Sequence, residues 1–306
     1  MQTLPLPQAL RQRDAARAGL PGEHPAAAAA PVPAGVAGRT LRADRTVLPR
    51  CGLEVSRLGL GLAHVHLMAP EARRALIERA LELGITHFDT SRFYSDGLSE
   101  TTLGQVLGAR REGLTIATKF GLLPTPLIAS AGRAALPLRK LRSLLNKLHL
   151  VSYPRRSYTA RTMRRALEDS LRALRTDYID IYHVHEPPPD TRLPDDLVRE
   201  LERARAAGKI RHIGVSGTSI DPVAARHPGL FDVLQSAEAT WAAGRGVPDI
   251  THSVLSGAAG RGGRLDPEVV QELMGRALAR RPQGAIIVQT RSPERLAELV
   301  DVSMGH

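Results

Sequence analysis

The stretch PEARRALIERALELGITHFDTSRFYSDGLSETTLGQVLGA, residues 70–109, contains one complete unit of the predicted fold. Its first part predicts a helix that ends at Gly84, with one apolar face formed by Leu76, Ile77, Ala80 and Leu81. The apolar run ITHFDT then predicts a buried strand, and LSETTLGQVLGA predicts a second helix. A strand between two helices is typical of parallel sheets with right-handed crossovers.

The same alternation continues on both sides of this stretch. The predicted strands are RLGLGLAHV, ITHFDT, LTIATKF, DYIDIYHVH, IRHIGVS, FDVLQS, DITHSVLS and AIIVQT. Eight such units close most naturally into a (β/α)8 TIM barrel, which is the α/β fold class that we expect. An open doubly wound sheet is the alternative. It would need a third glycine after Gly59 and Gly61, and the chain has His64 there.

Four other segments complete the predicted organisation. Residues 1–42 are rich in alanine and proline and predict a flexible extension, so the barrel domain would span residues 43–306. RTVLPRCGLEVS predicts an N-terminal β-hairpin around Cys51 and Gly52. Residues 121–156 form a long insertion after the third strand. WAAGRGVPD is too short for a full helix, which predicts a shortened sixth βα unit.

Composition narrows the range of partners. The net charge is +11, but the arginines are spread over helical patterns, which favours a solvated basic surface with at most one phosphate pocket. We therefore expect a small-molecule substrate, and neither nucleic acid nor a membrane as partner. The single cysteine, Cys51, excludes an intramolecular disulfide and is typical of the cytoplasm. No apolar run approaches the roughly 20 residues of a membrane span, and no secretory signal is recognisable.

Polar side chains collect where the predicted strands end. They are His64, His66, Asp89, Tyr94, Lys119, His185, Ser216, Gln235, His252, Ser253 and Arg291. In a barrel these strand ends converge on one mouth, so we expect their side chains to lie close together.

Asp89, Tyr94, Lys119 and His185 suit one kind of chemistry. A lysine ammonium beside a phenol should lower the phenol pKa from its usual value near 10, and an aspartate keeps the lysine charged. A histidine nearby can hydrogen-bond a carbonyl oxygen. Such a set protonates an oxygen that becomes negative during reaction, as hydride delivery to a carbonyl requires, and the hydride needs a cofactor.

Each of these residues also has an ordinary structural explanation. Asp89 could cap the following loop, Lys119 could be a solvated strand end, and Tyr94 or His185 could be packing residues. Their joint occurrence at the ends of the second, third and fourth strands favours the catalytic interpretation.

From about Arg45 to Val300 the sequence resembles the aldo-keto reductase family of NADPH-dependent barrel oxidoreductases. The similarity rests on SRLGLG, ALELGITHFDTSRFYSDGLSETTLGQVL, ATK, SLRALRTDYIDIYHVHEP, AAGKIRHIGVSG and IIVQTRSPERLAE. The resemblance implies that Tyr94 is the general acid, that Lys119 and Asp89 tune it, and that His185 directs the carbonyl.

The resemblance also implies a cofactor site. Ser216 and Gln235 look like the groups that hydrogen-bond the nicotinamide amide. His252 lies where family members often stack an aromatic ring on the nicotinamide, and Ser253 next to it is a further candidate cofactor-binding residue. Further residues look like a clamp on the adenosine 2′-phosphate, which would favour NADPH; these are Arg291, Ser292 and Arg295.

Some positions depart from the family pattern. Gly217 follows Ser216 where Asn is usual, Leu299 replaces an Asn that commonly touches the adenine, and Ser95 stands where Gly usually follows the tyrosine. The catalytic four are intact, so the sequence predicts reduction of an aldehyde or ketone, or oxidation of the corresponding alcohol.

Two other functions stay open at this point. The first is an NADPH-binding barrel that acts as a sensor or partner subunit with little turnover. The second is a metal-dependent TIM-barrel hydrolase that uses the HxH pair His64 and His66, although the last strand ends in QTRS without a carboxylate ligand.

Overall fold

The computed structural model describes residues 41–125, 154–241, 247–256 and 265–304, together with a few isolated positions between 126 and 153. Residues 1–40 of the predicted extension and most of the 121–156 insertion lie outside this part. Within the described residues, no helix combines the length and the apolar character that crossing a membrane requires.

Eight parallel strands form a closed barrel, which confirms the predicted fold class. After a hairpin of β1 (Arg45–Val47) and β2 (Glu54–Ser56), the barrel strands are β3 (Leu58–Gly61), β4 (His87–Asp89), β5 (Thr115–Phe120), β6 (Ile179–His185), β7 (Ile210–Gly217), β8 (Val233–Ala237), β9 (Ile250–His252) and β10 (Ala285–Val288). Each strand pairs with its neighbours in chain order, and β10 closes the ring against β3. All strands therefore present their carboxyl ends at one mouth.

The hairpin forms an apolar floor at the other end of the barrel. β1 and β2 pair antiparallel, and Gly52 takes φ 69° in the turn between them, a conformation that favours glycine. Leu48 and Val55 are fully buried against inward-facing side chains of the strands. These side chains are Ala117, Ile181, Val233, Ile250, Ala285 and Ile287. Apolar side chains of the hairpin and the strands thus close the lower end of the barrel interior.

Helices cover the outside of the barrel. The described ones are α1 (Pro70–Glu82), α2 (Leu98–Leu107), α3 (Ala160–Leu174), α4 (Asp195–Ala206), α5 (Asp221–Arg226), α6 (Pro267–Ala279) and α7 (Pro293–Ser303). The helix that the first stretch predicts is α1, and Gly84 follows its end with φ 72°. In α3 the predicted stripe is buried at Met163, Leu167, Ser170, Leu171 and Leu174. Apolar periodicity therefore located the main helices.

The sixth connection lacks an α-helix in its described residues, as predicted. β8 is followed by one turn of 3₁₀ helix, Glu238–Thr240, before the chain returns to β9. The guanidinium of Arg280 lies 3.9 Å from the centre of the Trp241 ring, and its Nη1 donates to Glu238 at 2.9 Å. Side chains from the end of α6 thus cover part of this side of the barrel.

The insertion after β5 begins and ends at neighbouring points. Leu122 and Arg156 form an antiparallel bridge, and Leu123 N donates to Arg155 O at 2.9 Å. Ser157 N donates to Gly121 O at 2.8 Å. These bonds fix both ends of the insertion beside the mouth of the barrel.

Candidate active site

The centre of the site is a buried ion pair between adjacent strands. Lys119 Nζ on β5 donates to Asp89 Oδ1 on β4 at 2.5 Å and to the carbonyl of Thr90 at 2.8 Å. The other carboxylate oxygen of Asp89 accepts from Gln235 Nε2 at 3.0 Å. Asp89, Lys119 and Gln235 are all at most 2 % exposed. Each charge is therefore held in place by hydrogen bonds from the barrel wall.

Tyr94 and His185 stand above this pair. The ammonium of Lys119 lies over the face of the Tyr94 ring, 4.8 Å from its centroid. The rings of Tyr94 and His185 meet edge to face with their centroids 5.6 Å apart. The structure thus brings together all four predicted catalytic residues, which we call the catalytic cluster: Asp89, Tyr94, Lys119 and His185.

Burial and charge act in opposite directions on the ion pair. Burial alone would raise the pKa of Asp89, but the charge of Lys119 and the hydrogen bonds from Lys119 and Gln235 hold that pKa below its usual value. Burial lowers the pKa of Lys119, and the nearby charge of Asp89 opposes that shift. Nζ donates to two oxygen acceptors, and the carboxylate among them favours the charged form of the lysine.

The prediction that Lys119 lowers the pKa of Tyr94 is wrong for this structure. The pKa of Tyr94 is raised well above 10, first by burial and then by the negative charges of Asp89 and Glu186. Lys119 does not counteract this shift because Asp89 neutralises its charge and because the ammonium faces the ring rather than the hydroxyl. Tyr94 therefore keeps its proton at neutral pH and is available as a donor.

His185 is neutral in this environment. Burial, followed by the charge of Lys119, lowers its pKa well below the usual 6.5. Its ring nitrogen Nδ1 lies 3.3 Å from the hydroxyl of Ser91. A neutral imidazole carries one N–H, so it can donate one hydrogen bond to a carbonyl oxygen.

Two further histidines fill the barrel directly below. His183 shares the inward facing of His185, as its spacing of two residues predicts, and His87 stands below Asp89 on β4. Burial lowers the pKa of His87 to about 4 and that of His183 to about 3. Neither ring nitrogen of His87 has a hydrogen-bond partner among the described residues, and His183 has no close partner beyond a weak contact with the backbone of Val215.

Glycines on the neighbouring strands make room for these two rings. A Cβ at Gly59 would lie 2.6 Å from His87 Cδ2, and one at Gly214 would lie 2.3 Å from His183 Nδ1. Larger residues at either position would collide with the imidazoles.

Sequence reasoning missed the residues that hold His185. The hydroxyl of Tyr158 lies 2.8 Å from the carbonyl oxygen of His185 and 2.7 Å from that of Glu186, and the two acceptors share its one hydrogen. Ser91 is completely buried beside the imidazole. The one available signal for Ser91 was its position two residues after Asp89, within the same turn.

The predicted nicotinamide-binding residues lie on three consecutive strands. Ser216 on β7 and Gln235 on β8 are paired in register, and both are buried. Gln235 Oε1 is a buried acceptor without a partner among the described residues. His252 ends β9, and its Nδ1 lies 2.9 Å from Ser253 Oγ. An acceptor kept without a partner next to Asp89 fits a ligand that carries an amide donor.

The predicted phosphate clamp lines a surface groove, which we call the α7 groove. A cavity of about 710 Å³ is lined by Leu67, Met68, Ala72, Thr290, Arg291, Ser292, Glu294, Arg295 and Glu298. A second cavity of about 230 Å³ shares Leu67, Met68, Thr290 and Arg291 with it and extends to Gly61 and His64. The two together connect the mouth of the barrel with the start of α7.

Two of the predicted clamp residues, Ser292 and Arg295, form bonds within α7 itself. Ser292 caps α7, because its hydroxyl accepts from Arg295 N at 3.1 Å, and it donates to Glu294 at 2.6 Å. Arg295 Nη1 pairs with Glu298 at 2.6 Å. Arg291 is exposed. The groove thus combines a helix N-terminus and two arginines with two carboxylates.

Two departures from the family pattern have local explanations. Glu186 takes φ 49°, and a Cβ at Gly217 would lie 3.2 Å from its Cα, so an Asn there would crowd it. Ser95 takes φ 55°, which favours the usual glycine, and its hydroxyl compensates by pairing with His66 Nδ1 at 2.8 Å. Leu299, the third departure, is buried and lines a small cavity of about 90 Å³.

The HxH pair is not part of a recognisable metal site. The rings of His64 and His66 lie 6.3 Å apart, and His66 is bonded to Ser95. In the described part of the chain, no group of three or more His, Cys, Asp or Glu residues is placed to hold a metal ion.

Comparisons with known proteins agree with this geometry. A family model described as the Aldo/keto reductase family matches residues 57–232, more than half of the chain. 6-dehydroglucose reductase of Novosphingobium aromaticivorans is 30 % identical over 202 residues, which cover 62 % of this chain and 57 % of that protein. The NADP(+) aryl-alcohol dehydrogenase of Phanerodontia chrysosporium is 30 % identical over 202 residues, 62 % of this chain and 47 % of that protein. The chain thus spans about half the length of these curated relatives.

Solved structures share the architecture. A candidate aldo-keto reductase from Pseudomonas aeruginosa superposes with a TM-score of 0.66 at 22 % identity, over 87 % of this chain and 96 % of that one. At that level of identity the likeness concerns the fold alone.

Proposed function

The chain belongs to the aldo/keto reductase family, and on that premise we propose that it is an NADPH-dependent oxidoreductase acting on an aldehyde or ketone. The reaction transfers a hydride between the nicotinamide and the carbonyl carbon. The observation that carries the proposal is the convergence of four residues: the buried, hydrogen-bonded pair of Lys119 and Asp89 lies in contact with the rings of Tyr94 and His185.

Tyr94 is the general acid. As the carbonyl is reduced, its oxygen gains negative charge and becomes far more basic than a phenolate, so Tyr94 can donate its proton despite its raised pKa. Lys119 lies over the face of the Tyr94 ring, and this cation–π contact holds the ring in position above the ion pair. Asp89 keeps Lys119 in this position.

His185 orients the substrate. It is neutral and its ring meets the Tyr94 ring edge to face, so an N–H of His185 and the Tyr94 hydroxyl can bind the same carbonyl oxygen. Two donors on one oxygen fix the direction in which the carbonyl carbon faces.

Several residues fit the cofactor that would supply the hydride. The unpartnered Gln235 Oε1 and the neighbouring Ser216 are suited to the nicotinamide amide, with His252 and Ser253 at the next strand end. Arg291, Arg295 and the N-terminus of α7 capped by Ser292 are suited to the adenosine 2′-phosphate; they lie along the α7 groove. The NADP(+) named for the aryl-alcohol dehydrogenase supports this choice of cofactor.

The test is a comparison of two tyrosine variants. Tyr94→Phe should lose about 10²–10⁴-fold in turnover with NADPH and aldehydes, the range for removal of a general acid, and should keep its NADPH affinity. Tyr178→Phe is the matched control, because Tyr178 packs between Arg111 and Arg211 away from the site. Turnover is followed by the absorbance of the reduced nicotinamide, and affinity by its fluorescence.

Two outcomes would contradict the proposal. Retained turnover in Tyr94→Phe would remove Tyr94 as the acid. NADPH binding without oxidation across a broad panel of aldehydes and ketones would favour a sensor or partner role.

A further inference from the structure

The hydroxyl of Ser91 connects the turn after β4 with the imidazole of His185. Ser91 is 0 % exposed. Its Oγ accepts the backbone N–H of Phe93 at 3.1 Å and lies 3.3 Å from Nδ1 of His185. The serine thus has two partners, one of which is a ring nitrogen of the catalytic cluster.

The available hydrogens determine the direction of the second contact. A serine hydroxyl has one hydrogen to donate and two lone pairs. Phe93 N–H occupies a lone pair, and the buried hydroxyl hydrogen needs an acceptor because leaving it unpaired costs about 1–3 kcal/mol. Among the described residues, Nδ1 of His185 is the acceptor within reach. Ser91 therefore donates to Nδ1, and Nδ1 carries no proton.

The proton of the neutral ring then lies on the other nitrogen. Nε2 of His185 has no hydrogen-bond partner among the described residues, and it is not among the buried unpartnered atoms, so it keeps access to the mouth. Tyr158 restrains the backbone of His185 from behind, which limits reorientation of the ring.

We propose that Ser91 is a positioning residue, which holds His185 in the tautomer with its proton on Nε2 so that this N–H donates to the substrate carbonyl oxygen. The inference rests on the proposed function for the role of that N–H. The tautomer itself does not depend on turnover, so the two can be tested separately.

The direct test is ¹⁵N NMR of the full chain labelled at histidine, with His185→Gln used to assign the His185 signals. In the wild type we expect the Nδ1 signal in the range of an unprotonated nitrogen and the Nε2 signal in the range of a protonated one. A wild-type spectrum with the proton on Nδ1 would overturn the proposal, whatever the activity.

Variants of Ser91 separate positioning from simple packing. Ser91→Ala should reduce kcat for a reactive aldehyde about tenfold, the effect of losing one hydrogen bond of roughly 1.4 kcal/mol, with the NADPH affinity unchanged. Its His185 pKa should rise in the ¹⁵N titration, because the neutral ring loses a donor. Ser91→Thr keeps the hydroxyl and should restore both quantities to within about threefold of the wild type.

Ser303→Ala is the matched control. Ser303 is buried, and its hydroxyl donates to Val300 within α7, so removing it should change neither kcat nor the His185 signals. Unchanged kcat and unchanged His185 signals in Ser91→Ala would overturn the proposal. If Ser91→Ala does not fold, the wild-type and Ser91→Thr spectra decide it. If the spectra are as expected but no carbonyl compound is reduced, the tautomer assignment stands and the proposed reaction is refuted.

Discussion

In the catalytic cluster, Asp89 and Lys119 are buried and hydrogen-bonded to groups on the barrel wall, whereas in the α7 groove Arg291 is exposed and Arg295 pairs with a glutamate on its own helix. The first arrangement is fixed by contacts within the barrel itself. In the second arrangement, an anionic ligand would have to draw Arg295 away from Glu298 and order the exposed side chain of Arg291. Under the proposed function, the groups that do the chemistry would be held rigidly, and the cofactor phosphate would meet side chains that can adjust.

The largest expected difference concerns stability. Asp89→Asn leaves the Lys119 ammonium buried without its counter-charge, and breaking a buried pair in this way costs about 3–5 kcal/mol. Glu82→Gln removes a partner from the exposed pair with Arg79 and should cost less than about 1 kcal/mol. Urea unfolding at pH 7 measures both changes.

A double variant sharpens this prediction. Asp89→Leu combined with Lys119→Met removes both charges and should recover most of the stability, but not the turnover. A loss below about 1 kcal/mol in Asp89→Asn would mean that the ion pair does not stabilise the barrel more than a surface pair does.

A second difference should appear as pH falls. His87 has a pKa of about 4 in the folded protein against an ordinary 6.5, so between these values the unfolded chain binds more protons and stability declines as the pH decreases. The shift corresponds to about 3 kcal/mol lost between pH 7 and pH 4. Between pH 7 and pH 4, the free energy of unfolding of His87→Leu should therefore fall by about 3 kcal/mol less than that of the wild type. Urea unfolding at several pH values measures this difference.

The contrasting control for this effect is Arg295→Gln in the α7 groove. Arg295 lines the surface groove and does not belong to the barrel interior, so its variant should parallel the wild-type pH dependence. An identical pH dependence of wild type and His87→Leu would show that His87 is protonated as easily inside the barrel as outside it.

The smallest expected effect lies in the groove itself. Arg291→Ala should weaken NADPH binding about tenfold and NADH binding by less than about twofold, because one charge-assisted contact to the 2′-phosphate is lost. Arg276→Ala, an exposed arginine on α6, is the control. Glu298→Gln should act in the opposite direction and tighten NADPH binding, since it releases Arg295 from its partner.

Fluorescence titration with both cofactors measures these affinities. Equal losses for NADPH and NADH in Arg291→Ala would contradict a phosphate contact at this residue. The groove would then serve another part of the ligand.

The sequence predicted the barrel because its determinants are local. The stripe Met163 to Leu174 defines α3 by periodicity alone, and Gly84 and Gly52 mark a helix end and a hairpin turn that need positive φ. The six-residue α5 was not predicted, since one and a half turns provide too few positions for a pattern.

The site was predictable as a set of residues but not as a set of contacts. The strand ends identified Asp89, Tyr94, Lys119 and His185, yet the direction of the Tyr94 pKa shift depends on burial and on where the ammonium points. Ser91 was missed because its partner His185 lies 94 positions away in the chain. Such pairings arise only when the barrel closes.

The insertion after β5 leaves and rejoins the barrel at two points that are tied together by Leu123, Arg155 and Ser157. The two ends of this segment are therefore held side by side by backbone hydrogen bonds. The entropic cost of closing such a loop increases by only about 0.6 kcal/mol for each doubling of its length. The contacts among Asp89, Lys119, Tyr94 and His185 are made by residues outside this segment, so its length can vary without removing any of them.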